Sequence, residues 1–384
     1  MTDPHNWQPP GGDPDSPSPR VPRYGEYAAP TPPPPPVPGA PGGWAPPPKP
    51  GLIPLRPLGF GTLLWAPFQV LRRNPKATFG SALLVQGAVM LSTLVIVGAV
   101  TFIVLGRLAN APAGERDTLT AGSVAAIILS ALVPVVLTII GSALLQGIIV
   151  VEVARATLGE KLTLRGLWRS ARGRLWALVA WTLLLTLAVV VALAVAAGVV
   201  TVLVILGGAW QVVGIVVGVL AVLGLIVVGA WLYIRVSLVP SLIVLERLPI
   251  RAAVRRSWSL TIGYFWRTFG VQFLVAAIVN VISQIVTTPL SLLFGFATSL
   301  IDPNGALDSY LPSVILYVLL LFIALVMGAI AAVVQSATTA LIYIDMRMRK
   351  EGLDLELQRF VESATFRAGH AGTPEAAVRD PYLT

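Results

Sequence analysis

Residues 175–206 read LWALVAWTLLLTLAVVVALAVAAGVVTVLVIL, which is 32 consecutive positions without a charged side chain. A helix needs about 20 apolar residues to cross the hydrocarbon core of a bilayer. A second uncharged stretch, 212–234, follows after a short turn that also lacks charge. The two stretches predict a membrane-spanning hairpin, and this hairpin decides the class of fold.

Four further apolar segments of comparable length lie on either side of this hairpin, so the sequence predicts an all-α integral membrane protein with six transmembrane helices. Each segment is long enough to span a bilayer, even when tilted. The predicted spans are 77–105, 123–151, 175–206, 212–234, 268–301 and 311–344. They fall within a predicted transmembrane domain at 51–350, which a C-terminal segment follows at 351–384.

Composition excludes a water-soluble globular enzyme. Hydrophobic residues make up 55% of the 384 residues, charged residues only 12%, and the mean hydropathy is +0.80. Ordinary soluble domains carry about 25% charged residues. The chain has no cysteine, and its two histidines, His5 and His370, lie outside the spans. Disulfides and cysteine or histidine metal sites are therefore not expected, and the sequence predicts no cofactor.

The first 50 residues form a low-complexity segment that holds 19 of the 32 prolines. Proline fixes φ and lacks an N–H donor, so this segment is predicted to be a disordered tail. Trp7 and Trp44 each stand before prolines, and a protein partner docking on them is an alternative to a plain solvated tail.

Basic residues are distributed very unevenly among the loops. Of the 27 lysines and arginines, 25 lie before span one, between spans two and three, between spans four and five, or after span six. Only Arg107 and Arg116 lie on the opposite side. By the positive-inside rule both termini are predicted to be cytoplasmic, in the plasma membrane. The net charge of +9 therefore indicates topology and anionic lipid, and no nucleic acid partner is predicted.

A short basic amphipathic segment precedes each predicted hairpin, which indicates three repeats of an interfacial helix followed by two spans. The second and third copies align at an offset of 90, matching Trp168 with Trp258 and Trp176 with Trp266. Such helices are typical of the membrane interface, where arginines meet lipid phosphates. The predicted contacts to anionic inner-leaflet lipid are Arg72, Arg73, Lys76, Arg165, Arg169, Arg172, Arg251, Arg255 and Arg256.

Three groups of residues resemble an uncharacterised actinobacterial family of multi-pass membrane proteins with a proline-rich N-terminus. They are 58–60 (LGF) with 72–75 (RRNP), 245–247 (LER) with 252–258 (AAVRRSW), and 343–354 (YIDMRMRKEGLD). This family is related to the membrane domain of some glycerophosphoryl diester phosphodiesterases, and the resemblance covers roughly 52–360. The catalytic barrel of those enzymes has about 250 residues. Too few residues follow the last span to hold one.

Charged residues near the cytoplasmic ends of the even-numbered spans are the candidate polar or ion-pair residues within the membrane domain. They are Glu152, Arg155, Arg235, Glu246, Asp345 and Arg347. Ionisable residues in spans are functional candidates by default. Arg235 stands out because apolar residues flank it on both sides. Glu152 and Asp345 could each neutralise it. The alternative to a functional role is an arginine that snorkels to the inner boundary of the membrane and is held there by a neighbouring carboxylate.

Amides deeper in the spans provide the basis for a second functional hypothesis. They are Gln86, Gln146, Asn280, Gln284 and Gln335. The first hypothesis is a non-enzymatic protein that organises the membrane or serves as a scaffold through its basic helices and its tail. The alternative is a transporter or lipid-handling permease. Clustering of the four glutamines, Gln284 included, around one central cavity would favour it, and amides scattered among helix contacts would exclude it. A membrane-embedded enzyme would require Glu152, Glu246 and Asp345 to converge. The sequence leaves the oligomeric state open.

Overall fold

A computed structural model describes residues 51–110, 112, 116–163, 166–169, 173–301, 310–369 and 382. All regular secondary structure within these ranges is helical. The predicted tail, 1–50, lies outside the described residues. The helices are α1 Phe60–Arg73, α2 Phe79–Ala109, α3 Arg116–Thr157, α4 Leu175–Ile205, α5 Ala209–Val236, α6 Val239–Leu245, α7 Ile250–Thr261, α8 Phe265–Ile301, α9 Tyr310–Glu351 and α10 Leu353–Gly369.

Six helical segments are long and apolar enough to cross a membrane, which confirms the predicted all-α multi-pass membrane protein. The fourth combines α5 with the short helix α6 across 209–245. Two spans continue as helix beyond the predicted apolar run. The helix α3 extends to Thr157 and α9 to Glu351, so charged residues expected in loops belong to helices.

The spans pair as three hairpins, α2 with α3, α4 with α5, and α8 with α9. The helix α9 lies at the centre, because it also packs against α1, α2 and α3. The α4–α5 hairpin joins the bundle through α3, α6, α7 and α8, and most of its side chains are exposed. Close contact within this hairpin occurs at Gly214, whose backbone approaches Leu203 and Val204 of α4.

A helical segment precedes each hairpin, as the repeat predicts: α1, the helical residues 166–169, and α7. The tryptophans at the start of α4 and α8 occupy matching places, since Trp176 is 84% exposed and Trp266 is 78% exposed. Exposed tryptophan at the end of a span is typical of the membrane interface. The same offset of 90 matches Gly173 with Gly263 in the sequence, but of the two only Gly263 has a positive φ, at +83°.

The apolar faces of α1 and α7 are partly buried against other helices and partly exposed on the outside of the bundle. In α1, Leu63, Ala66 and Val70 are buried, and the helix packs on α8 and α9. In α7, Ala253 and Leu260 are buried, and this helix packs on α5, α6 and α9. The sequence alone predicted these stripes to face lipid. We call the side of the bundle formed by α1, α7 and the last turns of α3, α6 and α9 the basic end.

Residues 51–58, which we call the strap, cross the basic end before α1 begins. Leu52, Ile53, Leu55 and Leu58 are buried, and the N–H of Leu52 donates to the carbonyl of Ala156 at 2.9 Å. The helix α10 holds the strap from the C-terminal side, because Gln358 Nε2 donates to the carbonyl of Leu55 at 2.9 Å. The strap therefore joins the ends of α3 and α10.

Candidate functional site

Asp345 forms the first of two ionic networks at the basic end. Its carboxylate is fully buried and lies 3.2 Å from Arg267 Nη2 and 3.0 Å from Arg349 Nε. It also accepts the N–H of Leu58. Both arginines donate to the carbonyl of Leu58 at 2.6 Å. A buried carboxylate is costly unless it is paired and hydrogen-bonded, and here one strap residue and two guanidinium groups provide these partners.

Glu246 is the centre of the second network, which joins α6, α7 and α9. Its Oε1 accepts the hydroxyl of Tyr343 at 2.8 Å, and Arg256 pairs with its Oε2. Arg347 donates to the Tyr343 hydroxyl at 3.2 Å and lies 3.7 Å from Glu246. Glu351 closes the network, 2.9 Å from Arg347 and 3.0 Å from Arg256. Two carboxylates and two guanidinium groups thus balance one another at the end of α9.

The two networks lie on different faces of α9. Residues four apart share a helical face, whereas residues two apart point in nearly opposite directions. Asp345 and Arg349 therefore face the strap, while Tyr343, Arg347 and Glu351 face α6 and α7. This explains the alternating polar residues of the 343–354 segment, since each polar position serves one of two separate surfaces.

Glu152 has a different partner from the one that the sequence suggested. It is buried near the end of α3, and its Oε1 accepts Asn74 Nδ2 at 3.1 Å. Asn74 also donates to the carbonyl of Leu162, so it ties the end of α1 to α3 and to the loop beyond. The positive charges of Arg73 and Lys161 act on Glu152 as well.

Arg235 lies among aromatic rings, and the expectation of a carboxylate partner is wrong. Its guanidinium carbon lies 5.7 Å from the ring centre of Trp231, 5.3 Å from that of Trp258 and 5.9 Å from that of Phe265. Its Nε and Nη1 are buried without a hydrogen-bond partner among the described residues. Cation–π attraction therefore holds this charge, and Glu152 and Asp345 are engaged elsewhere.

The three carboxylates that a membrane-embedded enzyme would need are held apart. Asp345 serves the strap face of α9, Glu246 serves the opposite face, and Glu152 binds Asn74. Arg155, the remaining candidate, lies 3.5 Å from Glu160 at an exposed position. The structure therefore shows no common site for the three acids among the residues that it describes.

Most of the described arginines and lysines predicted to contact lipid are exposed at the basic end. Arg72, Lys76, Arg169, Arg251 and Arg255 are exposed, while Arg73 is half-buried. Arg165 and Arg172 lie outside the described residues.

Arg256 is the exception among these predicted lipid contacts. It belongs to the Glu246 network, where it also pairs with Glu351. Its guanidinium group is thus engaged with protein carboxylates, which corrects the prediction for this residue.

Three of the five intramembrane amides converge on one cavity, which we call the amide cleft. It has a volume of about 220 Å³ and lies between α2, α3 and α9. Gln86, Gln146 and Gln335 each contribute from a different helix, and all three are half-buried. Hydroxyls of Thr138, Ser142 and Ser336 also line the cleft. The cleft thus brings amides and hydroxyls together in a largely apolar lining within the membrane-spanning part of the bundle.

A second cavity of about 160 Å³ borders the amide cleft at Gln146. It lies between α3, α4, α5 and α9, and its polar lining includes Thr182, Tyr233 and Thr339. The other two amides, Asn280 and Gln284, are exposed on α8 and line neither cavity. Gln284 accepts the hydroxyl of Thr288. Three of the four glutamines whose clustering would favour a permease therefore share the cleft, and the fourth, Gln284, does not, so this expectation is met only in part.

Sequence reasoning missed several partners. Arg267 and Arg349 complete the Asp345 network, and Asn74 binds Glu152. The spacing of Asp345 and Arg349 at i and i+4 was a usable signal. Nothing in the sequence pattern indicated that Arg267 of α8 or the backbone of Leu58 would meet the same carboxylate.

No family model matches the chain, and no match was found among curated proteins or solved structures.

Proposed function

We propose that this multi-pass membrane protein is a lipid-handling permease or transporter that uses the amide cleft as its ligand site. The observation that carries the proposal is the convergence of Gln86, Gln146 and Gln335 from three different helices. The orientation that we infer places both termini in the cytoplasm, because the basic loops all lie on that side.

The chemistry of the cleft supports a polar ligand. Each glutamine amide offers two N–H donors and a carbonyl acceptor. Within the described residues, no hydrogen bond involves the side-chain amide of Gln86, Gln146 or Gln335. Polar groups at membrane depth are costly when they remain unpaired. A ligand with hydroxyl, phosphate or amide groups would satisfy them.

The position of the cleft favours a lipid over a solute that enters from water. Thr138 and Ser142 of α3 are exposed, and both lie well inside the span Gly122–Thr157. An opening at this depth faces the acyl chains of a bilayer. A lipid could place its headgroup in the cleft while its chains stay outside, and the adjoining cavity at Gln146 extends the polar space.

The scaffolding role remains a second prediction from the sequence. It depends on the proline-rich tail at 1–50 and on basic helices free to meet lipid. Arg251 and Arg255 are exposed as this role requires, whereas Arg256 is engaged by Glu246 and Glu351. The amide cleft has no part in a scaffold, and for this reason we favour the permease.

Native mass spectrometry of the full chain in detergent tests the proposal. We expect a lipid or polar solute to be retained at a fixed stoichiometry, and to be lost in the double variant Gln146→Leu/Gln335→Leu. The variant Gln284→Leu, which removes an amide outside the cleft, is the matched control and should retain the ligand. Equal retention in all variants, or no bound ligand in the parent chain, would contradict the proposal. A protein partner lost on deletion of 1–50, without any bound small molecule, would favour the scaffold.

A further inference from the structure

A further cavity lies at the basic end, separate from the amide cleft and from the cavity that borders it at Gln146. This pocket has a volume of about 430 Å³, which falls within the usual range for ligand sites. It is bounded by the last turns of α3 and α6 and by the residues that precede α4. The arginines among its described lining residues are Arg155, Arg169, Arg174 and Arg247. We call this cavity the arginine pocket.

The described lining of the arginine pocket carries positive charge only. Among the described residues that line it, none is a carboxylate. Arg155 lies 3.5 Å from Glu160. For Arg169, Arg174 and Arg247, the described part of the chain provides no hydrogen bond or ion pair. This contrasts with the two networks of α9, in which every arginine meets a carboxylate. Arg169 and Arg247 are exposed and Arg174 is half-buried, so the three cations share an open cavity, and an anion bound between them would offset their mutual repulsion.

The backbone at Arg247 gives a second, independent observation. Arg247 has a φ of +54°, and it is the one residue other than glycine with a positive φ among those described. This conformation costs an L-residue with a side chain roughly 1–2 kcal/mol relative to the right-handed region. A residue held there against its preference is a recognised sign of a functional position. Glycine would fit the turn better, yet the sequence has an arginine that lines the pocket.

The walls of the arginine pocket are suited to a ligand with both a charged and an apolar part. Val244 and Leu245 of α6 form an apolar side, and Tyr382 contributes on the polar side while contacting the hydroxyl of Thr157. Guanidinium groups bind phosphate oxygens through paired N–H donors, and arginine is the preferred residue for such contacts. A carboxylate would use fewer of the available donors.

We propose that the arginine pocket binds a phosphate-bearing anion, with Arg169, Arg174 and Arg247 as its ligands. The phosphate comes either from the headgroup of an anionic phospholipid or from a soluble phosphate compound. The two sources share this chemistry and differ in the apolar part that would meet Val244 and Leu245. The proposal stands independently of the amide cleft, because no residue lines both sites.

Binding to the full chain in neutral detergent tests the proposal, with phosphatidylglycerol and inorganic phosphate as probes. Zwitterionic phosphatidylcholine, whose phosphate is balanced by its own choline, is the reference of zero net charge. We expect saturable binding that Arg169→Gln and Arg247→Gly each weaken by about tenfold. Arg247→Gly is chosen because glycine accepts the positive φ, so this variant removes the charge without straining the turn. The double variant Arg251→Gln/Arg255→Gln is the control, since it removes two exposed charges from α7, outside the pocket.

Each outcome bears on the proposal. Saturable phosphatidylglycerol binding that is lost only in the pocket variants identifies a lipid headgroup, and the same pattern with inorganic phosphate identifies a soluble ligand. An equal loss in the control variant would mean that diffuse surface charge attracts the anion, and it would overturn the proposal. The absence of saturable binding by either probe would also overturn it.

Discussion

The buried carboxylate of Asp345 accepts a 2.8 Å hydrogen bond from the backbone N–H of Leu58, which precedes it by 287 residues. Leu58 ends the strap, and the two arginines that neutralise Asp345 also bind the Leu58 carbonyl. The N–H and the carbonyl of one strap residue are therefore held by three side chains from α8 and α9. The attachment of the strap depends on this carboxylate.

Replacing Asp345 with Asn should detach the strap. The substitution leaves Arg267 and Arg349 without a counter-charge, and breaking a buried pair costs roughly 3–5 kcal/mol. Because both arginines are about a quarter exposed, we expect a smaller loss of about 2–3 kcal/mol. Thermal unfolding in detergent measures it. Glu160→Gln, which breaks the exposed pair with Arg155, is the control and should change stability by about 0–1 kcal/mol. Equal effects would show that the Asp345 network has no special role.

Gly51→Ala should disrupt the opposite end of the strap. A Cβ at Gly51 would lie 2.0 Å from the carbonyl oxygen of Ala156, and the next nearest atoms also belong to the backbone. Since backbone atoms cannot move aside cheaply, we expect a loss of about 1–3 kcal/mol. Hydrogen exchange at Leu52, whose N–H binds Ala156, should accelerate. Gly61→Ala meets nothing within 4 Å and should not destabilise the chain. Unchanged exchange at Leu52 in Gly51→Ala would refute this account of the strap.

Arg235→Met should be tolerated, whereas Arg347→Met should not. Arg235 gains only cation–π attraction, about 0.5–2 kcal/mol, and its buried Nε and Nη1 are unsatisfied. Methionine removes both the attraction and the unsatisfied donors, so we expect a net change within about 1 kcal/mol. The same substitution at Arg347 leaves the Tyr343 hydroxyl without its donor and Glu351 with Arg256 alone, and we expect a loss of about 2 kcal/mol or more. Thermal unfolding of both variants in one detergent makes the comparison. A large loss at Arg235 would indicate an anionic partner.

Gly141→Ala should alter the amide cleft from within α3. A Cβ at this position would lie 2.6 Å from Cγ1 of Val85, which lines the cleft on α2. Valine is stiff at χ1, so α2 and α3 must separate locally. We expect reduced retention of any ligand bound in the cleft, measured by native mass spectrometry. Gly87→Ala, which meets open space on α2, is the control and should retain the ligand. Full retention in Gly141→Ala would place the ligand elsewhere.

The spans were predictable because the signal for a membrane helix is local. The length and hydropathy of a segment decide whether it can span a membrane, and its neighbouring helices have little influence on this. The differences arose at the ends. The helices α3 and α9 continue through Glu152 and Asp345 because tertiary partners hydrogen-bond or pair with these carboxylates, and such partners are not visible in a hydropathy profile.

The candidate sites were predictable only in part, because side chains far apart in sequence build them. The sequence identified Gln86, Gln146 and Gln335 as separate amides, but their meeting depends on the rotation of α2, α3 and α9. Similarly, the sequence identified Arg235 as unusual and assigned it a carboxylate. Three aromatic rings from α5, α7 and α8 surround it instead, and no spacing rule connects these helices.

The two ionic networks lie on opposite faces of the last turns of α9, and this arrangement restricts which mutations the chain can accept. Adding or deleting one residue between Thr339 and Tyr343 would turn everything beyond it by about 100° relative to the amide cleft. Both ionic networks would then be misaligned at once, although every side chain would still be present. Apolar replacements of similar volume within 340–342 would disturb neither face. Selection should therefore conserve the length of this segment more strictly than its residues.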